Sequence, residues 1–149
     1  MTSLLAPLDW QQTTLRLGVA LLVGAIIGID RQLRAKSAGL RTHMLVSLGS
    51  ALFILVPIQL NVAQESADAF SRVLQGVITG VGFVGGGVIL HESGSESTSK
   101  VGGVTTAAAI WIASALGIAA GCGLWLLSLA GAILSLFTLS ILKKIEKNK

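Results

Sequence analysis

Apolar runs of membrane-spanning length recur along this chain, and no other feature constrains its fold as strongly. A helix needs about 20 apolar residues to cross the hydrocarbon core of a bilayer. Hydrophobic residues make up 52% of the 149 residues and charged residues only 12%, whereas soluble domains carry about 25% charged residues. We therefore expect an all-α polytopic membrane bundle that forms a single transmembrane domain over residues 1–149.

Five transmembrane helices are predicted by this length criterion, at residues 10–29, 42–60, 70–90, 104–120 and 124–142. Only Gly121, Cys122 and Gly123 separate the last two, and we interpret them as the sharp turn of a helical hairpin because glycine permits such a reversal. Cys122 is interpreted as a small apolar residue of that turn. The first span lacks a basic n-region and a cleavage site, so it is expected to be retained.

The basic residues are distributed unevenly between the two predicted sides of the membrane. One side holds Arg31, Arg34, Lys36, Arg41, Lys100, Lys143, Lys144, Lys147 and Lys149, and the other holds only Arg16 and Arg72. The positive-inside rule then predicts an amino terminus outside and a short basic tail, residues 143–149, in the cytoplasm. We expect Arg16 to extend to the interface beside Trp10.

A weak internal match predicts a parallel repeat of helices 1–2 and 3–4, related by an axis along the bilayer normal. The segments that begin at Gly39 and Gly103 agree at several positions, among them Ser50 with Ser114. In the preceding helices, Gly18, Gly24 and Gly28 echo Gly76, Gly82 and Gly86.

The third span combines polar residues with many glycines. Gln75, Thr79, Gly82 and Gly86 follow at helical spacing, so one face is polar at its first half and bare backbone at its second. Small residues usually serve close helix packing, and exposed backbone that meets a ligand or ion is the alternative. The predicted packing glycines are Gly76, Gly80, Gly82, Gly85, Gly86 and Gly87.

The loop between the first two spans carries the densest charge. Asp30 and Arg31 end the first helix, and Arg41, Thr42 and His43 begin the second. We expect Asp30 to pair with Arg41 across the hairpin, either as a structural ion pair or as part of a functional site.

His43 shares a helix face with Ser47 and Ser50. Two interpretations stand for this face. Either the serines bond to their own helix and His43 is solvated at the interface, or the three residues form a functional polar surface.

Enzyme motifs are not found: the sequence has no GxSxG elbow, no paired histidines at ligand spacing and no Walker sequence. We therefore expect no enzyme and no cofactor. No nucleic-acid partner is expected either, because a membrane chain uses its basic residues to set topology. The stretch "HESGSESTSKVGG" contains Glu92 and Glu96, but its composition is typical of a loop, and no metal site is predicted there.

Three segments resemble the membrane domain of the MgtC/SapB family: "GAIIGIDRQ...AGLRTHMLVSLGSALF", "RVLQGVITGVGFVGGGVIL" and "VGGVTTAAAIWIASALGIAAGCG". The resemblance covers about Gly18 to Gly123. It implies a bacterial inner-membrane protein, linked in some members to low-magnesium growth and to survival in host phagocytes. For one branch it implies an inhibitory contact with the proton-translocating ATP synthase.

The family motif, carried over residue by residue, points to a set of candidates around the helix ends. These are Asp30, Arg31, Gln32, Gly39, Arg41, Thr42, His43, Arg72, Thr105, Thr106 and Trp111, besides Gln75 and the glycines of the third span. Many members continue into a soluble cytoplasmic domain. Since this chain stops at Lys149, regulation through such a domain is expected to be absent or to come from another protein.

Two functions compete on this basis. The first is a regulatory protein of magnesium homeostasis that binds a partner complex in the bilayer, favoured by the resemblance, the small-residue helix faces and an expected lack of buried charge. The second is a small transporter or channel for an ion or solute, assembled as a homo-oligomer because five helices enclose little room.

Overall fold

Helices account for nearly all of the residues that the structure, a computed structural model, describes: 4–94 and 102–142. They are α1 (Trp10–Leu33), α2 (Leu40–Gln59), α3 (Val62–Glu65), α4 (Ala67–Gly94), α5 (Val104–Gly121) and α6 (Trp125–Phe137), and α6 continues as a π-helical segment, Thr138–Leu142. The tail at 143–149, Lys100 and Glu96 lie outside the described residues.

The predicted helical membrane bundle is confirmed. Four helices, α1, α2, α4 and α5, are long and apolar enough to cross a membrane, and Trp125–Ser140 forms a shorter apolar helix. Some boundaries differ from the prediction. α1 continues one turn beyond residue 29 to Leu33, and α4 continues beyond residue 90 to Gly94, because charged residues at the ends of membrane helices stay helical where the hydrocarbon ends.

Four of the helices form two antiparallel hairpins, and one helix from each hairpin contributes to a central pair. α1 packs along α2, and α4 packs along α5, while α2 and α5 lie side by side and run in the same direction. α5 is the central helix. In its most apolar stretch of 18 residues, 61% of the residues are buried, against 33% in the corresponding stretch of α1 and 6% in that of α4.

Close approach of helix backbones holds the centre together. A side-chain Cβ at Gly117 of α5 would lie 2.1 Å from the Ser47 carbonyl oxygen, and one at Gly24 of α1 would lie 2.7 Å from the His43 carbonyl oxygen. Neither position has room for even a methyl group, so glycine is required there for the helices to meet.

Buried hydroxyls join the same helices. Ser50 bonds to the Ser114 hydroxyl at 2.7 Å, Ser47 donates to the Ala20 carbonyl at 2.7 Å, and Ser128 donates to the Leu116 carbonyl at 2.9 Å. The expectation that the serines bond only within their own helix is therefore wrong for Ser47, which bonds across to α1. Ser50 bonds both across to α5 and within its own helix, where its hydroxyl donates to the Val46 carbonyl at 2.8 Å.

The predicted repeat stays a prediction, and the contacts bear on it in two ways. Ser50 and Ser114 are predicted equivalents and meet directly, as residues beside a two-fold axis would. The glycines do not follow the predicted correspondence. Gly24 and Gly28 pack against α2, whereas Gly82 and Gly86 have no atom within 4 Å of an added Cβ.

Candidate functional site

Charged and polar side chains gather at one end of the bundle, which we call the basic end. It is formed by the end of α1, the connection at 34–39, the start of α2, the end of α4, the start of α5 and the π-helical segment. Asp30, Arg31, Arg34, His43, Glu92 and Thr106 are its main side chains.

The Asp30 carboxylate pairs with Arg34 on its own helix. Arg34 Nε donates to Asp30 Oδ1 at 2.8 Å, and the Ser140 hydroxyl donates to the same oxygen at 2.7 Å. The predicted pair between Asp30 and Arg41 is wrong, and Arg41 is exposed. Because α1 runs to Leu33, Arg34 stands one turn after Asp30 and reaches it first.

Arg31 is buried, with 2% of its surface exposed. Its guanidinium donates to the Thr106 hydroxyl on α5 at 2.9 Å, and its Nε has no partner among the described residues. Asp30 and Glu92 both lie close enough to interact with it electrostatically. The expected lack of buried charge is therefore wrong: a buried cation links α1 to α5.

His43 is fully buried between α1 and α2. The expectation that it is solvated at the interface is wrong, because Gly28 of α1 leaves room for its side chain: a Cβ at Gly28 would lie 3.3 Å from the His43 Cβ. The His43 Nδ1 lies 2.8 Å from the Gly39 carbonyl oxygen, so Nδ1 carries the hydrogen. Its Nε2 is left without a partner among the described residues.

Glu92 connects three elements at the basic end. It lies in α4, not in a loop as predicted, and its carboxylate accepts a hydrogen bond from the Ser37 hydroxyl. It also packs on the start of α5, where a Cβ at Gly103 would lie 3.2 Å from the Glu92 carboxyl carbon. Within the described part of the chain, no three of its His, Cys, Asp and Glu residues are placed to hold a metal.

Gln32 and Gly39 shape the connection between α1 and α2. The Gln32 side-chain oxygen accepts a hydrogen bond from the Leu40 backbone N–H at 3.4 Å. A Cβ added at Gly39 would lie only 2.1 Å from that same oxygen. A side chain at Gly39 would displace Gln32, which gives both residues of the family motif a structural role.

Arg16 marks the opposite end of the bundle. It does not extend to the interface beside Trp10 as predicted, since it is 3% exposed and Trp10 is 74% exposed. Its guanidinium donates to the Gly121 carbonyl at 2.8 Å and to the Leu4 carbonyl at 3.0 Å. Arg16 thus satisfies a carbonyl at the carboxyl end of α5, where the helix dipole also favours a cation. Next to it, burial raises the pKa of the Cys122 thiol.

The remaining predicted candidates lie on the surface of the bundle. Arg72 pairs with Asp68 one turn earlier, where both are exposed, and Thr105 and Trp111 are exposed while Thr42 is half-buried. The structure therefore brings Asp30, Arg31, His43 and Thr106 together, and it leaves Arg41, Arg72 and Thr105 outside this group.

One face of α4, which we call the polar glycine face, is formed by Gln75, Thr79, Gly82 and Gly86. Gln75, Thr79 and Gly82 are exposed, and an added Cβ at Gly82 or Gly86 would meet no atom within 4 Å. The predicted close packing at Gly76 and Gly80 is also not made with any described residue of this chain. Gly85 does have a neighbour: within the described part of the chain, it alone among the predicted packing glycines of α4 would place an added Cβ near another atom, the Cβ of Ala107 at 3.4 Å.

Sequence reasoning missed several residues of the basic end. Arg34, Ser37 and Ser140 were not singled out, and Glu92 was assigned to a loop without a site. Arg34 could have been found, because it follows Asp30 at i+4 on one helix. Ser37 and Ser140 depend on the tertiary fold, since 55 and 110 residues separate them from their partners.

Comparison with known proteins agrees with the helices and motifs described above. Protein SrpB of Synechococcus elongatus is 48% identical over 144 residues, 93% of this chain and 79% of that protein. The "Putative magnesium transporter YhiD" of Escherichia coli K12 is 39% identical, and the match covers 85% of this chain and 59% of YhiD. Protein MgtC of Salmonella typhimurium is 38% identical, with 82% of this chain and 48% of MgtC covered.

This chain therefore spans about half to three-fifths of YhiD and MgtC. No solved structure matches it. The sequence profile of the MgtC family covers residues 17–148, which includes most of α1 and all of α2, α4, α5 and α6. Together with these relatives, that match shows that the chain is a multi-pass membrane protein and belongs to the MgtC family.

Proposed function

We propose that this chain serves magnesium homeostasis or low-magnesium adaptation in the bacterial inner membrane, and that it acts by binding a membrane partner. The family membership supports the link to magnesium, because one relative is named a putative magnesium transporter. The basic end faces the cytoplasm in this proposal, as the positive-inside rule favours for its arginines.

The observation that carries the proposal is the polar glycine face of α4. Only 6% of the residues in the most apolar 18-residue stretch of α4 are buried, although the helix is long enough to span a bilayer. Gln75 is exposed and lies within the predicted span of residues 70–90, about 12 Å along α4 from its first residue, so its amide would face hydrocarbon in this proposal. An amide in hydrocarbon is stabilised by a hydrogen-bonding partner, and bare Gly82 and Gly86 let a second helix come close.

The partner is a helix of a second membrane protein or of another copy of this chain. The family resemblance implies the ATP synthase as one candidate. A photo-crosslinking residue at Thr79 should capture the partner in native membranes, while one at exposed Leu22 of α1 should not. Equal capture from both positions would count against the polar glycine face.

Growth in low magnesium tests the function itself. A deletion strain is complemented with wild type, with Gly82→Leu on the polar glycine face, or with Gly18→Leu as the control, because an added Cβ meets no atom at either glycine. We expect wild type and Gly18→Leu to restore growth and magnesium content and Gly82→Leu to fail at equal protein level. Restoration by all three would exclude this face from the function.

The alternative function is a small oligomeric ion or solute transporter, and the basic end favours it. Asp30 Oδ2, Arg31 Nε and His43 Nε2 are buried and have no partner among the described residues. Ionisable groups buried inside a membrane bundle often mark transport pathways.

Purified protein in liposomes tests this alternative, by measuring Mg²⁺ and H⁺ flux for wild type and Asp30→Asn. Asparagine keeps the shape of Asp30 and removes its charge. Flux that is lost in Asp30→Asn would establish transport through the basic end, and no flux with wild type would return Asp30 to a structural role.

A further inference from the structure

A groove between α2 and α4 opens on the side of the bundle away from α1. We call it the α2–α4 groove, and its volume is about 510 Å³. Gly49, Gly76 and Gly80 line it, together with several valines of α4 and with Leu45 and Phe53 of α2. Because the lining is almost entirely apolar, the groove suits a hydrocarbon occupant.

The groove has the length of one bilayer leaflet. It extends on α4 from Val73 to Val84, about 16 Å at 1.5 Å per residue. Half of a hydrocarbon core is about 15 Å thick. On α2 its lining runs from Leu45, one turn after Arg41, to Phe53, so it begins near the basic end and passes the middle of α2.

A free cation stands at the mouth of the groove. Arg41 is exposed and has no ion-pair or hydrogen-bond partner among the described residues, in contrast to paired Arg34 and buried Arg31. Leu45, which lines the groove, follows Arg41 at i+4 and thus lies on the same side of α2. The Thr42 hydroxyl beside it is likewise unpaired in the described structure.

We propose that the α2–α4 groove binds an anionic phospholipid, with one acyl chain along Gly49, Gly76 and Gly80 and the headgroup phosphate on Arg41. A guanidinium matches a phosphate in charge and geometry. A helix is about 10–12 Å across with its side chains, so a groove of about 510 Å³ that is about 16 Å long is too narrow for a whole helix and wide enough for one hydrocarbon chain. This site lies on a different side of α4 from the polar glycine face and does not depend on the proposed function.

Lipid retention measured by native mass spectrometry tests this site on the full chain in mild detergent, with phosphatidylglycerol or phosphatidylcholine added. We expect wild type to retain phosphatidylglycerol preferentially. Arg41→Gln should reduce that preference about five-fold, the effect of one basic residue near an anionic surface. Lys36→Gln, an exposed cation of the same end, is the matched control and should leave the preference unchanged.

Filling the groove tests the acyl-chain part. Gly80→Leu fills it from α4 and Gly49→Leu fills it from α2, and an added Cβ meets no described atom within 4 Å at either position. Both should lose at least ten-fold in lipid retention, whereas Gly82→Leu on the polar glycine face should bind as wild type. Equal retention of both lipids by wild type, or unchanged retention in both filled variants, would overturn the site. A dimer that binds no lipid and dissociates in Gly80→Leu would assign the groove to a second copy.

Discussion

α1 and α4 are both glycine-rich helices and predicted equivalents in the repeat, yet they use their glycines in opposite ways. In α1, Gly24 and Gly28 contact the backbone of α2, with added Cβ atoms as close as 2.7 Å to it. In α4, an added Cβ at Gly82 or Gly86 meets no described atom within 4 Å. Glycine spacing thus indicates that a helix can be approached closely, but it does not identify the neighbour.

The polar residues of α1 and α4 show the same contrast between burial and exposure. α1 buries an arginine near each end, and both are held by groups of α5. α4 leaves Gln75 and Arg72 exposed. α1 is therefore fixed inside the chain, whereas α4 retains a face for contacts with lipid or with another protein.

The largest difference is expected when the predicted equivalents Gly24 and Gly82 are each changed to leucine. Gly24→Leu should destabilise the protein by on the order of 3 kcal/mol or prevent folding, because α1 and α2 must separate. Gly82→Leu should fold with unchanged stability. Thermal unfolding in detergent measures both, and similar losses for the two variants would remove the contrast between α1 and α4.

A smaller difference is expected for the arginines. Arg31→Gln should cost about 2 kcal/mol, because it weakens the bond to Thr106 and removes a buried cation near Glu92. Arg72→Gln should cost less than about 0.5 kcal/mol, since its pair with Asp68 is exposed. The same unfolding assay applies, and a loss at Arg72 that equals the loss at Arg31 would contradict the assignment.

The smallest difference concerns hydroxyl groups. Ser50→Ala should cost about 0.6 kcal/mol, because the Ser114 hydroxyl loses its partner between α2 and α5. Thr79→Ala on the polar glycine face should leave the stability of the isolated chain unchanged. If a Ser50→Ala/Ser114→Ala double variant lost the sum of two independent effects, the two hydroxyls would not be coupled.

Much of the fold was predictable, because membrane spans depend on length and apolar composition alone. The four long helices and the turn at Gly121–Gly123 follow from that rule. The candidate site was predicted in part. Asp30, Arg31, His43 and Thr106 were chosen from the sequence and do lie together, but their partners were wrong or missing.

The errors share a physical cause. A prediction based on apolar runs ends each helix where the run ends, but α1 and α4 continue into charged residues. The extra turn of α1 gives Asp30 the partner Arg34 and leaves Arg41 free. Likewise, the extra turn of α4 carries Glu92 into the basic end.

The amino-acid sequence by itself determined that this chain is a helical membrane protein, where most of its spans lie, and to which family it belongs, because apolar length and local motifs are properties of contiguous residues. Only the tertiary structure decided which glycines contact a neighbouring helix, which arginines are buried, and which face of α4 stays open. These properties depend on the rotation and neighbours of each helix, and the hydrophobicity of a membrane helix is too uniform around its axis to specify them.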